Sequence, residues 1–475
     1  MTAADQPRDP AAPATGRAPA SARIPRLVVR TEVHPSDGVS LGKVLPRVAP
    51  QEVTAWIRRR EGMVGWGRAA SVTLVGEESG PDRWERLSQW WRQVAQEARE
   101  EVVADSSVPA GGDGSLPRGA GLVAWASMAF SDDSPEGSVL VVPEVVVGVK
   151  DDVAWVTRIE VAEEATEGAA AEGATDEGAA AEGATPAGIP QRSDDPPSAP
   201  TRIEEGPGGT PAEGWPAVVQ RGIDAIRSGR ADKVVLARDV VATAPEPLDV
   251  RWLLHRLVGA YPDTWTFAVD GLVGATPEML VRLDDGHVFS RVLAGTASRA
   301  ADVEDDQHAA DDLLASRKDL SEHAFAVESV VERLSPLCSA VVAPRSPALL
   351  TLPNVFHLVS DLDGRAVPGT TVLELAGALH PSAAVGGTPR EEALDLIREL
   401  EGRDRGRYAG PVGWMDARGD GDMGIALRTG QIEAEDPCSL RMWAGGGIMA
   451  DSDPQAEYAE TGAKLAPMRS ALSGD

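Results

Sequence analysis

Between residues 24 and 161 the apolar positions come in short β-branched runs separated by Gly, Pro and Asp. RLVVRTEV, ASVTLVG, GLVAWASMAF, SVLVVPEVVVGV and VAWVTRI each read as a strand. Among them, WERLSQWWRQVAQEAREEV repeats apolar residues every three or four positions and predicts a helix. Beyond residue 214 the two periods alternate. A helix (AVVQRGIDAIRSG) precedes a strand (KVVLARDVVAT), then a helix (DVRWLLHRLVGA) and the strands TWTFAVD, GLVGATPEMLVRL and HVFSRVLAG. One long helix is predicted from Asp302 to Leu334, followed by a strand around NVFHLVSDLDG. The helices REEALDLIREL and PQAEYAETGAKL come later, among strands at VGWMDA, GDMGIALRTGQIE and SLRMWAGGG. Hairpins mixed with helices predict an α+β fold of layered antiparallel or mixed sheets flanked by helices, not βαβ winding.

Two stretches break the pattern. The first 23 residues are rich in Ala and Pro, carry no apolar core of a secretory signal, and read as a disordered arm. The nonapeptide EGAAAEGAT occurs at 167–175 and again at 177–185, and a Pro/Gly/Ser-rich run follows. Small residues and like charges bury too little apolar surface to offset the entropy of ordering. Residues 162–213 are therefore expected to be a flexible insertion between a β-rich part, 24–161, and a second part, 214–472.

Composition narrows the class. At 42% hydrophobic and 25% charged residues the chain is that of a soluble globular protein. No apolar stretch approaches the roughly 20 residues of a membrane helix, so a cytoplasmic protein is expected. Cys338 and Cys438 lie in no metal spacing and are too few for a disulfide framework. The net charge of −29 repels nucleic acid and anionic membrane, which excludes both as partners. An anionic ligand would need local cations or a metal to overcome that field.

Candidate chemistry lies at a few positions, each with a plainer alternative. KDLSEH sets Asp319, Glu322 and His323 at helical spacing, and EYAETGAK does the same for Glu457, Glu460 and Lys464. These are either solvated helix faces or carboxylates that share a hard cation such as Mg²⁺. Lys233 opens an apolar strand, where it either snorkels to the surface or, if desolvated, acts as a base. Glu278 follows Thr-Pro between two strand-like runs and reads as a turn residue. Within GIALRTGQI, strand alternation would expose or pair Arg428. The glycines of AGGGI serve packing or bring backbone N–H groups to an anion.

The order of these segments is more specific than any one of them. The succession KVVLAR, GATPEML, LAGTASR, KDLSEH, LHPSAAVGGTP, RYAGPVGW, IALRTG, AGGGI and EYAETGAKL resembles the chorismate-utilising enzymes, over about residues 230–466. That family includes isochorismate, salicylate, anthranilate and aminodeoxychorismate synthases. GLVAWASMAF and SVLVVPE extend the resemblance loosely into the N-terminal part. The resemblance implies chorismate as substrate, with Lys233 as the base that activates water for C2 and Glu278 as the acid for the departing C4 hydroxyl. It implies Mg²⁺ held by Glu322 and Glu460 with Glu457 behind them. Gly295, Thr296, His380, Ala384, Arg428, Gly445 and Lys464 would bind substrate, with Trp443 also shaping the pocket.

Three positions choose within the family. Ammonia-using members typically carry Gln where Lys233 stands. Many aminodeoxychorismate synthases have a nucleophilic Lys where this chain has Ala294. Salicylate and anthranilate enzymes usually have Thr at the position of Ala384. All three point to water addition that stops at isochorismate, a product that feeds menaquinone or siderophore synthesis, with no glutamine amidotransferase subunit.

Overall fold

A computed structural model describes residues 24–36, 38–76, 80–104, 116–162, 188, 195–209, 214–300, 302–352 and 355–473. The arm expected at 1–23 and both copies of the repeat lie outside the described residues. The fold is α+β, built on two large sheets. The first runs from the edge strand Glu204–Pro207 through Lys233–Thr243, Ser439–Ile448, Thr429–Gln431, Leu272–Thr276 and Trp265–Val269. It continues through Val53–Arg58, Glu61–Trp66, Val145–Lys150, Val153–Val161 and Leu27–Pro35 to Arg99–Ala104. The second runs Cys338–Val342, Val355–Ala366, His287–Ser298, Met279–Asp284, Gly421–Ile425, Pro411–Asp416, Val123–Ser127, Ser138–Val142 and Ala70–Leu74.

Both sheets draw strands from both halves of the chain. Thr266 pairs with Ile57 in the first sheet, and Val412 with Ser127 in the second. The parts on either side of the insertion therefore close a single layered unit. Trp56, Trp125, Trp155, Trp265, Phe267 and Trp414 fill the space between the sheets. The helices Val250–Ala260 and Pro454–Ser473 cover the outer face of the first sheet. Arg83–Glu97, Arg317–Leu334 and Val372–Leu379 cover the second. Among the described residues no helix is long and apolar enough to cross a membrane.

Several elements differ from the sequence expectation. The helix at 83 stops at Glu97, and the β-branched end of that run forms the strand Arg99–Ala104, paired in parallel with Leu27–Pro35. The long helix splits into Val303–Ala315 and Arg317–Leu334, because Ser316 leaves the helical conformation and its hydroxyl accepts from Asp319 N. Within the stretch read as a flexible insertion, 195–209 is laid down: Glu204–Pro207 pairs with Lys233–Thr243, and the buried Arg251 donates to Asp195 O at 2.8 Å.

One buried charge cluster ties the sheets together. Asp422 accepts a fork from Arg282 (2.7 and 2.9 Å) and a bond from Trp56 Nε1 at 3.0 Å, and it pairs with Arg118 at 2.8 Å. Burial alone would raise the Asp422 pKa; the Arg118 and Arg282 guanidiniums reverse this and hold it well below the carboxylate range. Asp422→Ala removes the buried counter-charge of two guanidiniums beside the inter-sheet core and leaves them only the exposed Asp284, 3.5 Å from Arg118. Urea denaturation is expected to show a loss of about 3–5 kcal/mol. In the wild type the same contribution is present above the ordinary carboxyl pKa of about 3.9 and fades as pH falls through the lower folded value.

Two predicted strands break, and both breaks carry site residues. GLVGATPEMLVRL divides into Leu272–Thr276 in the first sheet and Met279–Asp284 in the second, so Pro277–Glu278 is a crossing between sheets. GDMGIALRTGQIE likewise divides into Gly421–Ile425 and Thr429–Gln431, with Arg428 at the crossing. The two crossings bond to each other: Ile425 N donates to Glu278 O, and Ala275 N to Arg428 O, both at 3.2 Å.

Candidate active site

Beside these crossings lies a cavity of about 230 Å³ that gathers the site residues expected from the sequence, with the exception of His323, His380 and Trp443. Lys233 and Glu278 enter it, with Gly295, Thr296, Ala384, Arg428 and Gly445 in its wall. Glu322 comes from the helix Arg317–Leu334, while Glu457, Glu460 and Lys464 come from Pro454–Ser473.

The glycine run of AGGGI makes room for these side chains. A Cβ on Gly447 would sit 2.9 Å from Lys233 Cε, and one on Gly446 would sit 2.6 Å from Glu457 Oε2. The bare strand thus lets a cation and a carboxylate lie flat against its backbone. On the facing sheet, the pairing of His287–Ser298 with Val355–Ala366 shifts register between Leu293 and Thr296. This bulge turns Ala294 and Gly295 out of the ladder and toward the cavity.

Electrostatics separate the groups. Burial pushes the Glu278 carboxyl up to about 8, although Arg428 and Lys233 pull the other way. At neutral pH it holds its proton. Lys233 is ion-paired with Glu322. Lys464 pairs with Glu460 at 2.6 Å and donates to Gly445 O at 2.9 Å. Burial alone would raise the Glu460 pKa, and Lys464 brings it below its usual value. Glu457 rises through burial and the adjacent Glu460; its Oε1 accepts from Ser452 at 2.9 Å, while its buried Oε2 has no hydrogen-bond partner among the described residues.

Arg428 has a backbone φ of +51°, a conformation that costs a non-glycine residue about 1–3 kcal/mol and recurs at ligand clamps. Burial lowers its pKa. Among the described residues its guanidinium makes no salt bridge or hydrogen bond, which leaves a fork free for a carboxylate.

The oxygen-only donor set of Glu322, Glu457 and Glu460 suits a hard cation. Among the described residues no three potential ligands stand already gathered at metal spacing. Mg²⁺ does not need three, since it binds through one or two carboxylates and completes its shell with water and substrate oxygens. The orphaned Glu457 Oε2 supplies an acceptor pointing into the same region.

Three expectations are corrected here. His380 lies in the core, where Nε2–H donates to Phe130 O at 2.9 Å and the ring packs on Trp84 and Phe130. Burial lowers its pKa to about 3, so it is neutral and structural. His323 turns away from Glu322, its ring nitrogens satisfied by Ala294 O and Ser360 Oγ at 3.1 and 2.8 Å. Trp443 is outside the cavity wall; Tyr408 lines the cavity and stacks on Trp443. Sequence reasoning missed Tyr408, although it lies in the quoted RYAGPVGW. It also missed His357, whose Nδ1 meets Thr296 Oγ1 at 2.9 Å opposite the bulge. No local pattern distinguishes His357 from an ordinary strand histidine.

One cavity of this two-sheet α+β fold thus gathers a paired lysine, a glutamic acid raised to about 8, helix-borne carboxylates and an arginine with no ionic partner among the described residues. The sequence profile described as chorismate binding enzyme matches residues 25–473, and the chain belongs to that family. Isochorismate synthase MenF of Bacillus subtilis is 37% identical over 265 residues, 55% of this chain and 56% of that relative's length. Isochorismate synthase DhbC of the same organism is 39% identical over 269 residues, 54% of this chain and 67% of the relative. The structure of MenF, the menaquinone-specific isochorismate synthase of Escherichia coli, shares the fold. Its TM-score is 0.70 at 22% identity, covering 94% of this chain and 95% of that one.

Proposed function

We propose that this protein is an isochorismate synthase, an isomerase that adds water at C2 of chorismate and expels the C4 hydroxyl, with Mg²⁺ as cofactor and the cytoplasm as its place. The observation that carries the reading is the pairing of a lysine with a proton-holding glutamic acid in one cavity. Lys233 takes the proton of the water that attacks C2, and Glu278 gives its proton to the oxygen leaving C4 while the ring double bonds shift. Arg428 forks a substrate carboxylate, Lys464 adds positive charge, and backbone N–H groups of Gly295, Thr296 and Gly445 complete the cradle.

Glu322 and Glu460, with Glu457 behind them, are the residues that would hold the metal. Bound Mg²⁺ would neutralise the ring carboxylate and offset the acidic background. Lys233 is tied to Glu322 in this structure. A cation held by Glu322 would compete with Lys233 for that carboxylate, so Glu322 serves as counter-charge to the lysine and as a prospective metal ligand.

Water addition without ammonia calls for no glutamine amidotransferase, and Ala294 offers no covalent nucleophile. Ala384, in the cavity wall, leaves room for a water and for an unreactive pose of the enolpyruvyl side chain. Ala384→Thr adds a methyl and a hydroxyl there. Chromatography of the products is expected to show isochorismate alone from wild type. The variant is expected to lose isochorismate output by about tenfold, the scale of one extra group in a tight pocket, or to leak salicylate and pyruvate. Identical rate and products in the two proteins would remove Ala384 from the choice.

A further inference from the structure

Glu278 and Ala384 belong to two cavities at once. Besides the main one, they wall a narrow pocket of about 20 Å³ lined also by Ser290, Ser329, Arg333 and Ser382. That is room for one water, which needs roughly 10–15 Å³. Ser382 Oγ is buried and has no hydrogen-bond partner among the described residues. Ser290 Oγ donates its proton to Leu280 O at 2.7 Å, which leaves its lone pairs as acceptors. The hydrogen bonds of Glu278 are made by its backbone, and among the described residues none reaches its carboxyl. Ser329, Arg333 and Ser382 are half-buried, so on the side between the helix Arg317–Leu334 and the loop after His380 the residues that wall the pocket also touch solvent. Lys233 does not line it.

If Glu278 is the acid, each turnover strips it of a proton while Lys233 gains one, and substrate occupies the main cavity. We propose that the Ser290, Ser329 and Ser382 pocket holds the water that reprotonates Glu278 from solvent, from the side away from substrate. The protons balance. The Glu278 O–H proton goes to the C4 oxygen, which leaves as water with the C–O electron pair. The carboxylate then takes a proton from the pocket water. That water is restored through the Ser382 hydroxyl by a solvent acid, hydronium or buffer. Lys233 returns its proton to solvent through the main cavity, so no net charge accumulates.

Ser382 is thus a positioning residue, and the inference rests on the function proposed above. Ser382→Val removes the hydroxyl and fills the pocket with methyl groups, whereas Ser382→Thr keeps a hydroxyl at similar bulk. With Val, kcat is expected to fall about tenfold, part of the ~10²–10⁴-fold that a positioned acid supplies, at unchanged KM. The solvent deuterium isotope effect on kcat should rise, and a small buffer acid should restore rate in proportion to its concentration. Ser382→Thr should keep most of the wild-type rate. A Val variant with wild-type kcat and isotope effect overturns the proposal. So do Val and Thr variants that are equally slow with the isotope effect unmoved, which is the signature of loop packing. If Ser382→Val does not fold, Ser329→Leu plugs the same pocket from the helix and is read by the same two outcomes. A wild type that makes no isochorismate would refute the enzyme assignment itself, before any variant is compared.

Discussion

Glu278→Gln and Lys233→Ala are each expected to lower kcat with chorismate by about 10²–10⁴-fold, the range for loss of a positioned acid or base, while the variants melt cooperatively like wild type. Glu278 makes no side-chain hydrogen bond among the described residues, so glutamine fits its site without breaking one. Because burial sets its pKa near 8, the proton-donating form is present below that value and lost as pH rises through it. Wild-type kcat should therefore fall on the alkaline side, and the small residual rate of Glu278→Gln should lack that limb. A rate near wild type in either variant, or an unchanged alkaline limb in Glu278→Gln, would remove the residue from catalysis.

Chelation is expected to abolish turnover of chorismate, and Mg²⁺ to restore it. The reason is electrostatic: a chain of net charge −29 must hold a dicarboxylate beside Glu322, Glu457 and Glu460. Lys233 and Lys464 are each paired with one of those carboxylates, so Arg428 alone would not balance a dicarboxylate substrate. Glu460→Gln should raise the Mg²⁺ concentration needed for half-maximal rate, with full rate approached at saturation. Activity that persists undiminished in a metal-free preparation would contradict the assignment. Zinc should not be required, since neither Cys338 nor Cys438 lines the cavity.

Much of this was legible in the chain, for identifiable reasons. The strands declared themselves through β-branched runs, and the helix-borne carboxylates through their spacing. Glu278 and Arg428 were harder. Each lies in a run that reads as one continuous strand, and only the sheet topology reveals that both runs cross between sheets. That crossing is what places Glu278 in the cavity wall beside Lys233 and Arg428, with Arg428 in a left-handed backbone conformation. His323 and His380 show the opposite difficulty. Each sits among functional residues in sequence, yet one helical step or a packed aromatic pair turns the ring into the core. The strand Arg99–Ala104 was masked by a helix running straight into it, because Glu and Arg suit both periods until a pairing partner decides.

The deepest requirement is that the new hydroxyl comes from solvent. Chorismate incubated with the protein and Mg²⁺ in heavy-oxygen water, with products resolved by chromatography and mass spectrometry, examines this in one experiment. Isochorismate carrying a single solvent oxygen at C2, without salicylate, pyruvate or an amino product even when ammonium is added, is the expected result. Unlabelled isochorismate, an aromatic product with released pyruvate, or chorismate recovered intact would contradict it.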